Sequence, residues 1–205
     1  MSPLLLLLAL ALPLALATPG SASETQEDDV RCLRGVKSGL KDPDGRLSSW
    51  TFGNTSSGAV CDFPGITCWN PQESRALGLS LAGFGLQGTV PSALKYCRST
   101  NILDLSKNAL EGPIPPALCD WLPYLVVLDL SGNRLAGAIP DTFSNLTQLR
   151  RLMLHHNRLA GAIPPSLGDC DNLEILDLSY NGLQGEIPAH VAAMSNLKLY
   201  LNLSN

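Results

Sequence analysis

The chain has 205 residues, of which 45% are hydrophobic and 16% charged, with a formal net charge of −4. That length suffices for one domain, and the mild acidity, without clustered Lys and Arg, argues against a nucleic-acid surface. None of the six cysteines forms the paired Cys-x-x-Cys spacing of a zinc site.

Residues 1–22 read as a secretory signal peptide. Leu4 to Ala17 is an apolar run of 14 residues, short for a bilayer span. The small residues Gly20-Ser21-Ala22 offer a cleavage site. No basic residue stands near the start, so an uncleaved anchor is the alternative. No other hydrophobic stretch is long enough to span a membrane, and the mature chain is expected to be secreted or to face the cell exterior.

A cap domain is expected over residues 24–76. Val30, Leu33, Val36 and Leu40 share one helical face, and Asp28-Asp29 place negative charge at the N-terminus of a helix over Asp28 to Leu40. Asp42-Pro43-Asp44-Gly45 ends it in a turn. Cys61 and Cys68 enclose six residues. In a secreted chain so close a pair predicts a disulfide, worth roughly 2–3 kcal/mol by loop entropy.

Residues 77–205 repeat themselves. The clean copies are Leu103-x-Leu105-x-x-Asn108-x-Leu110, Leu128-x-Leu130-x-x-Asn133-x-Leu135, Leu152-x-Leu154-x-x-Asn157-x-Leu159 and Leu176-x-Leu178-x-x-Asn181-x-Leu183. Each is followed by Gly-x-Ile-Pro, and the Asn positions step by 25, 24 and 24 residues. This period and pattern are the leucine-rich-repeat signature. The fold class is therefore α/β: a right-handed β/3-10 solenoid with a parallel sheet on its concave face and a helical N-terminal cap. One repeat cannot bury its leucines alone, whereas stacked repeats share a core in which each buried Leu contributes roughly 1.5–3 kcal/mol. The Asn column is expected to satisfy turn backbone groups that no sheet reaches.

A first, degenerate copy, Leu79-x-Leu81-x-x-Phe84-x-Leu86, carries Phe where the others carry Asn. Within it Gly83-x-Gly85-x-x-Gly88 matches a dinucleotide-binding fingerprint. Gly88, however, is in register with Gly112, Gly137, Gly161 and Gly185, so the repeat already explains it. About five repeats precede a sixth strand, Leu201-x-Leu203, within which the chain stops at Asn205. It is then either a fragment or truncated form of a longer protein, or a product whose bare last strand associates with a partner.

Cys97 and Cys170 each lie six residues after a repeat Pro and are expected as buried thiols. Cys97 and Cys119 fall in neighbouring repeats, where geometry decides whether they bridge. Cys32 stays unassigned.

Solenoids of this kind bind through the variable residues of the strand face. These are Ile102, Asp104, Ser106 and Lys107; Val127, Asp129, Ser131 and Gly132; Arg151, Met153, His155 and His156; and Ile175, Asp177, Ser179 and Tyr180. The third set stands out, because Arg, Met and two His interrupt an Asp/Ser pattern. Lys107, Arg151, Met153, His155, His156, Asp177 and Tyr180 are the candidate partner-binding residues. Met and Arg favour interfaces, and the His pair offers pH sensitivity near neutrality. Strand alternation sends adjacent side chains to opposite faces, so a metal site at His155-His156 is not expected, nor is any cofactor. Sequons at Asn54, Asn145 and Asn202 suit a secreted protein. The three His and the Ser residues form no nucleophile elbow or His-Glu-x-x-His motif, so catalysis is not expected. Six strands make a strip only about 24 Å wide, which suits a co-receptor or modulator better than a primary receptor for a long peptide.

Leu33…Asp42-Pro43…Leu47-Ser-Ser-Trp50, then Cys61…Gly-Ile-Thr-Cys68, then 24-residue repeats with Gly-x-Ile-Pro resemble the extracellular part of plant leucine-rich-repeat receptor-like kinases. Asp28-Asp29-Val-Arg-Cys32-Leu33-Arg-Gly and Leu118-Cys119-Asp-Trp121-Leu-Pro123 resemble the short ectodomains of receptor-like pseudokinases. The resemblance implies a recognition module whose partners are co-receptor or receptor kinase ectodomains, with or without a peptide ligand. From Asn145 onward the chain looks more like large receptors with many repeats. The alternative function is a secreted inhibitor of microbial cell-wall polygalacturonases, whose repeat and cap look similar. Such inhibitors have more repeats and a paired-cysteine C-terminal cap.

Overall fold

The computed structural model describes residues 21–53, 59–70, 75–197 and 200–202; for 21–26, 59 and 200–202 it describes the backbone only. Residues 1–20 of the expected signal peptide and the sequon at Asn54 lie outside the described residues. No helix among the described residues is long and apolar enough to cross a membrane.

The Leu-x-Leu triplets set one short strand per repeat. Helix α1 (Ser21–Gly39) precedes β1 (Ile66–Cys68), β2 (Ala76–Ser80) and β3 (Gln87–Gly88). The repeats then supply β4 (Ile102–Asp104), β5 (Ala109–Gly112), β6 (Val127–Asp129), β7 (Arg134–Gly137), β8 (Arg151–Met153), β9 (Arg158–Gly161), β10 (Ile175–Asp177), β11 (Gly182–Leu183) and β12 (Tyr200–Asn202). One sheet runs β1-β2-β4-β6-β8-β10-β12, parallel except for β1 against β2. The other runs β11-β9-β7-β5-β3 along the adjacent side. Strands centre on the first Leu of each triplet. The second Leu still joins the ladder, since the amides of Leu105, Leu130 and Leu154 donate to Asp129, Met153 and Asp177 one repeat on.

Leu103, Leu128, Leu152 and Leu176 are fully buried. After each Gly-x-Ile-Pro, or Gly-x-Val-Pro in the first copy, one short helix returns the chain along the convex side, and these helices bury Leu94, Leu118, Phe143, Leu167 and Val191. The glycines in that motif have positive φ throughout, from 81° at Gly112 to 121° at Gly88, a region that only glycine enters without steric cost. The register of Gly88 thus has a conformational cause.

The ladder asparagines close each corner. Asn133 accepts the Leu110 amide through Oδ1 at 3.0 Å and donates through Nδ2 to the carbonyls of Leu105, Leu130 and Ser131. Asn108, Asn157 and Asn181 make the same pattern toward Leu86, Leu135 and Leu159. Phe84 cannot do so. At that end the cap takes over: Lys41 and Gln87 exchange both backbone bonds, at 2.9 and 3.0 Å.

The cap helix begins at Ser21, seven residues before the expected start. It buries Cys32, Leu33 and Val36 and lies so close to the helix over Ser92–Tyr96 that a Cβ at Gly35 would sit 2.4 Å from Ala93 Cβ. Trp50 is buried and stacks on Phe63 at 5.6 Å. Cys61 and Cys68 form a disulfide. Cys97 corrects the expectation of a buried thiol: it is disulfide-bonded to Cys32, across 65 residues. The first repeat faces the cap, so its equivalent of Cys170 meets α1 and not another repeat. By loop entropy this bond is worth about 4 kcal/mol. Cys119 and Cys170 are free and buried, and burial raises both thiol pKa values.

Asp29, 3% exposed, accepts the Ala76 amide at 2.9 Å. Burial raises its pKa from 3.8 to about 6, partly offset by that amide and by Arg75. The folded state therefore binds the proton more tightly than the unfolded chain, and its stability falls as pH rises from about 4 to about 6, by up to about 3 kcal/mol. Asp29→Asn should flatten this slope; parallel melting-temperature curves for the two proteins between pH 4 and 7 would refute it. Asn133→Ala strands the Leu110 amide and takes one donor from the carbonyls of Leu105, Leu130 and Ser131, each of which keeps another, and should cost about 2 kcal/mol in chemical denaturation. A loss below about 1 kcal/mol would show that the ladder bonds contribute little.

Candidate functional site

Strand register lays the concave face out in rows. The first is Gly78, Ile102, Val127, Arg151, Ile175 and Tyr200; the second is Ser80, Asp104, Asp129, Met153, Asp177 and Asn202. Arg151 interrupts an apolar row and Met153 an acidic one. Arg151 is exposed and has no ion pair among the described residues, whereas its neighbour Arg150 is bound to Glu174 at 3.1 Å.

The Ser positions correct the expectation of a solvent-facing strip. Ser106, Ser131 and Ser179 are buried, and Ser131 and Ser179 turn their hydroxyls to the carboxylate two residues before them. Asp129 Oδ1 accepts both the amide and the hydroxyl of Ser131, and Asp177 does the same for Ser179. Asp104 accepts the Ser106 amide. Asp177 is only 8% exposed, whereas Asp129 with the same two bonds is half-buried. It belongs to the turn first and to the open face second.

The fourth repeat has Met153 and His155 in place of Asp and Ser. His155 reaches across to the next repeat, its Nδ1 lying 3.5 Å from Asp177 Oδ2. Strand alternation does not separate His155 from His156: their rings meet edge to face at 5.5 Å. The chain has already left β8, and His156 is left-handed, with φ of 54°. Among the described residues no group of three metal-ligating side chains forms.

His156 belongs to a further row, whose members from Lys107 onward the sequence reading placed on the strand face without seeing that they form a left-handed corner. Gly83, Lys107, Gly132, His156 and Tyr180 occupy the same corner, one residue before Phe84 or the ladder Asn, with φ between 53° and 69°. A residue with a Cβ loses about 1–2 kcal/mol there. The signal that could have revealed this row was glycine in register at 83 and 132. Tyr180 is 52% exposed and stacks flat on His156, centroids 4.2 Å apart and planes within 4°. The structure thus groups His155, His156, Asp177 and Tyr180 in one cluster and sets Arg151 and Met153 on β8 beside it. Lys107 stands two repeats from His156. Of the described sequons, Asn145 is exposed at the end of the convex helix Asp141–Asn145, and Asn202 pairs with Asp177 on the concave sheet.

Comparison with known proteins assigns the family. Residues 26–69 match the leucine rich repeat N-terminal domain, and 99–121 and 123–183 match leucine rich repeat models. The chain is 49% identical over 120 residues to the inactive receptor-like serine/threonine-protein kinase BIR2 of Arabidopsis thaliana, covering 58% of this chain and 20% of that protein. It spans about a fifth of the length of the curated relatives it matches. The crystal structure of the Arabidopsis BIR2 ectodomain superposes with a TM-score of 0.81 at 43% identity, covering 86% of this chain and 91% of that one. A chain in the Arabidopsis BIR3–SERK2 complex gives 0.80 at 45% identity, covering 86% and 92%. The chain belongs to the family of leucine-rich-repeat ectodomains of plant receptor-like kinases.

Proposed function

We propose that the chain is the extracellular recognition module of a plant receptor-like pseudokinase, or a soluble form of one, and that it modulates cell-surface signalling by binding a co-receptor ectodomain. The similarity that carries this reading is the one to a chain of the BIR3–SERK2 complex, of which 92% is covered at 45% identity. A peptide is the second class of partner. Function is then binding, without catalysis by these residues. On this reading residues 1–22 direct secretion, and a glycan on Asn145 projects from the convex side, away from the strip. Arg151, Met153, His155, His156 and Tyr180 form its centre, with Lys107 and Asp177 beside them. The polygalacturonase-inhibitor alternative draws no support from these relatives.

Arg151 is the residue to test first, since an exposed guanidinium among apolar neighbours has the composition of an interface anchor. Calorimetric titration against the Arabidopsis SERK2 ectodomain should give a Kd of about 10 µM or tighter. Arg151→Glu should weaken it about tenfold or more. Absence of binding at about 100 µM across SERK-type ectodomains would reject the co-receptor reading. Equal affinity of the two proteins would place the contact elsewhere on the chain.

A further inference from the structure

Three of the five left-handed corner residues, Lys107, His156 and Tyr180, carry long side chains where glycine is sterically free. Strain of this kind, held by its surroundings, is a pointer to function. Tyr180 covers one face of the His156 ring at 4.2 Å, close to the step between neighbouring strands. The stack therefore runs along the solenoid, and the other face of His156 looks toward the preceding repeat. The corner residue there is Gly132, which has no side chain to cover it. One repeat further lies Lys107, whose Cγ is 3.6 Å from where a Gly132 Cβ would be. Gly132 thus floors a slot one repeat wide, with an imidazole on one wall and a lysine side chain on the other. The nearby carboxylates are hydrogen-bonded within their own turns: Asp104 to the Ser106 amide, Asp129 to Ser131 and Asp177 to Ser179.

We propose that this slot accepts an aromatic side chain presented by a bound protein or peptide. A ring lying over Gly132 takes the place of the missing corner side chain. It continues the order Tyr180, His156, guest ring at the spacing the first two already keep, and brings its second face to Lys107. Stacking on one side and a cation on the other favour Trp, Tyr or Phe over an aliphatic residue of equal size. Lysine at 107 and glycine at 132 then have complementary roles, one as wall and one as opening.

The inference refines the recognition reading above but is tested without the partner. The full chain, amide-labelled, is titrated with N-acetyl-tryptophanamide and, as the apolar control, N-acetyl-leucinamide. Amide shifts at Lys107, Gly132 and His156 should saturate with the tryptophan probe, with affinity at least about fivefold above the leucine probe. His156→Ala, which keeps the backbone, should weaken the tryptophan probe about fivefold. Lys107→Met, which keeps the stem and removes the charge, should weaken it about twofold. Shifts scattered over the surface, equal response to both probes, or an unchanged affinity in His156→Ala would each overturn the slot. SERK2 binding without probe binding rejects the slot and leaves the module reading; probe binding without SERK2 binding does the reverse.

Discussion

Each time the chain leaves a strand it turns a corner, and backbone bonds to the next coil satisfy only some of the polar groups there. Buried polar groups left alone are costly. The ladder asparagine removes the problem across two coils at once. Asn133 binds the carbonyls of Leu130 and Ser131 in its own coil and both the amide of Leu110 and the carbonyl of Leu105 in the preceding one. It acts as a bolt between neighbours, so coil spacing and corner shape are fixed together. The left-handed residue before it, the parallel register of the strands and the rows of the concave face all depend on that bolt.

A stack built from such bolts has an exposed first coil, and the cap is the answer to it. Phe84 offers no amide, so Lys41 pairs with Gln87, β1 covers the edge of β2 in antiparallel fashion, and Asp29 holds the Ala76 amide. The last of these is an electrostatic compromise. A carboxylate buried beside one amide satisfies that donor but resists ionisation, which is why its pKa rises to about 6. The disulfide from Cys32 to Cys97 and the close approach at Gly35 keep α1 against the first convex helix, where the cap meets the repeats.

What could be read from the sequence was whatever repeats. Leu at fixed spacing, Asn at the corner and Gly-x-Ile-Pro on the return determine the strands, the ladder and the buried core, because each repeat sees the same neighbours. The same logic failed where a residue meets something that does not repeat. Cys97 stands where Cys170 stands, but it touches α1, and only the docked cap shows that Cys32 comes within reach. It failed also where side-chain direction departs from strand alternation. Ser131 and Ser179 turn inward to their own aspartates, and His156 swings beside His155 because the corner is left-handed. A two-residue period has no means of registering either effect.

The fourth repeat shows how such a scaffold acquires specificity. Positions bound by the ladder cannot change without losing a bolt, whereas the Asp-x-Ser pair serves only a local turn amide. Replacing that pair by Met153 and His155 gives up the local carboxylate bonds to the Ser amide and hydroxyl, worth about 1–3 kcal/mol, and changes two side chains beside the open face. New contacts form across the repeat boundary. His155 approaches Asp177, and His156 packs flat on Tyr180. The altered chemistry therefore spreads over two coils while every ladder bond stays in place. A recognition surface can in this way be rewritten one repeat at a time, at positions the ladder leaves free, on a frame whose stability is set elsewhere.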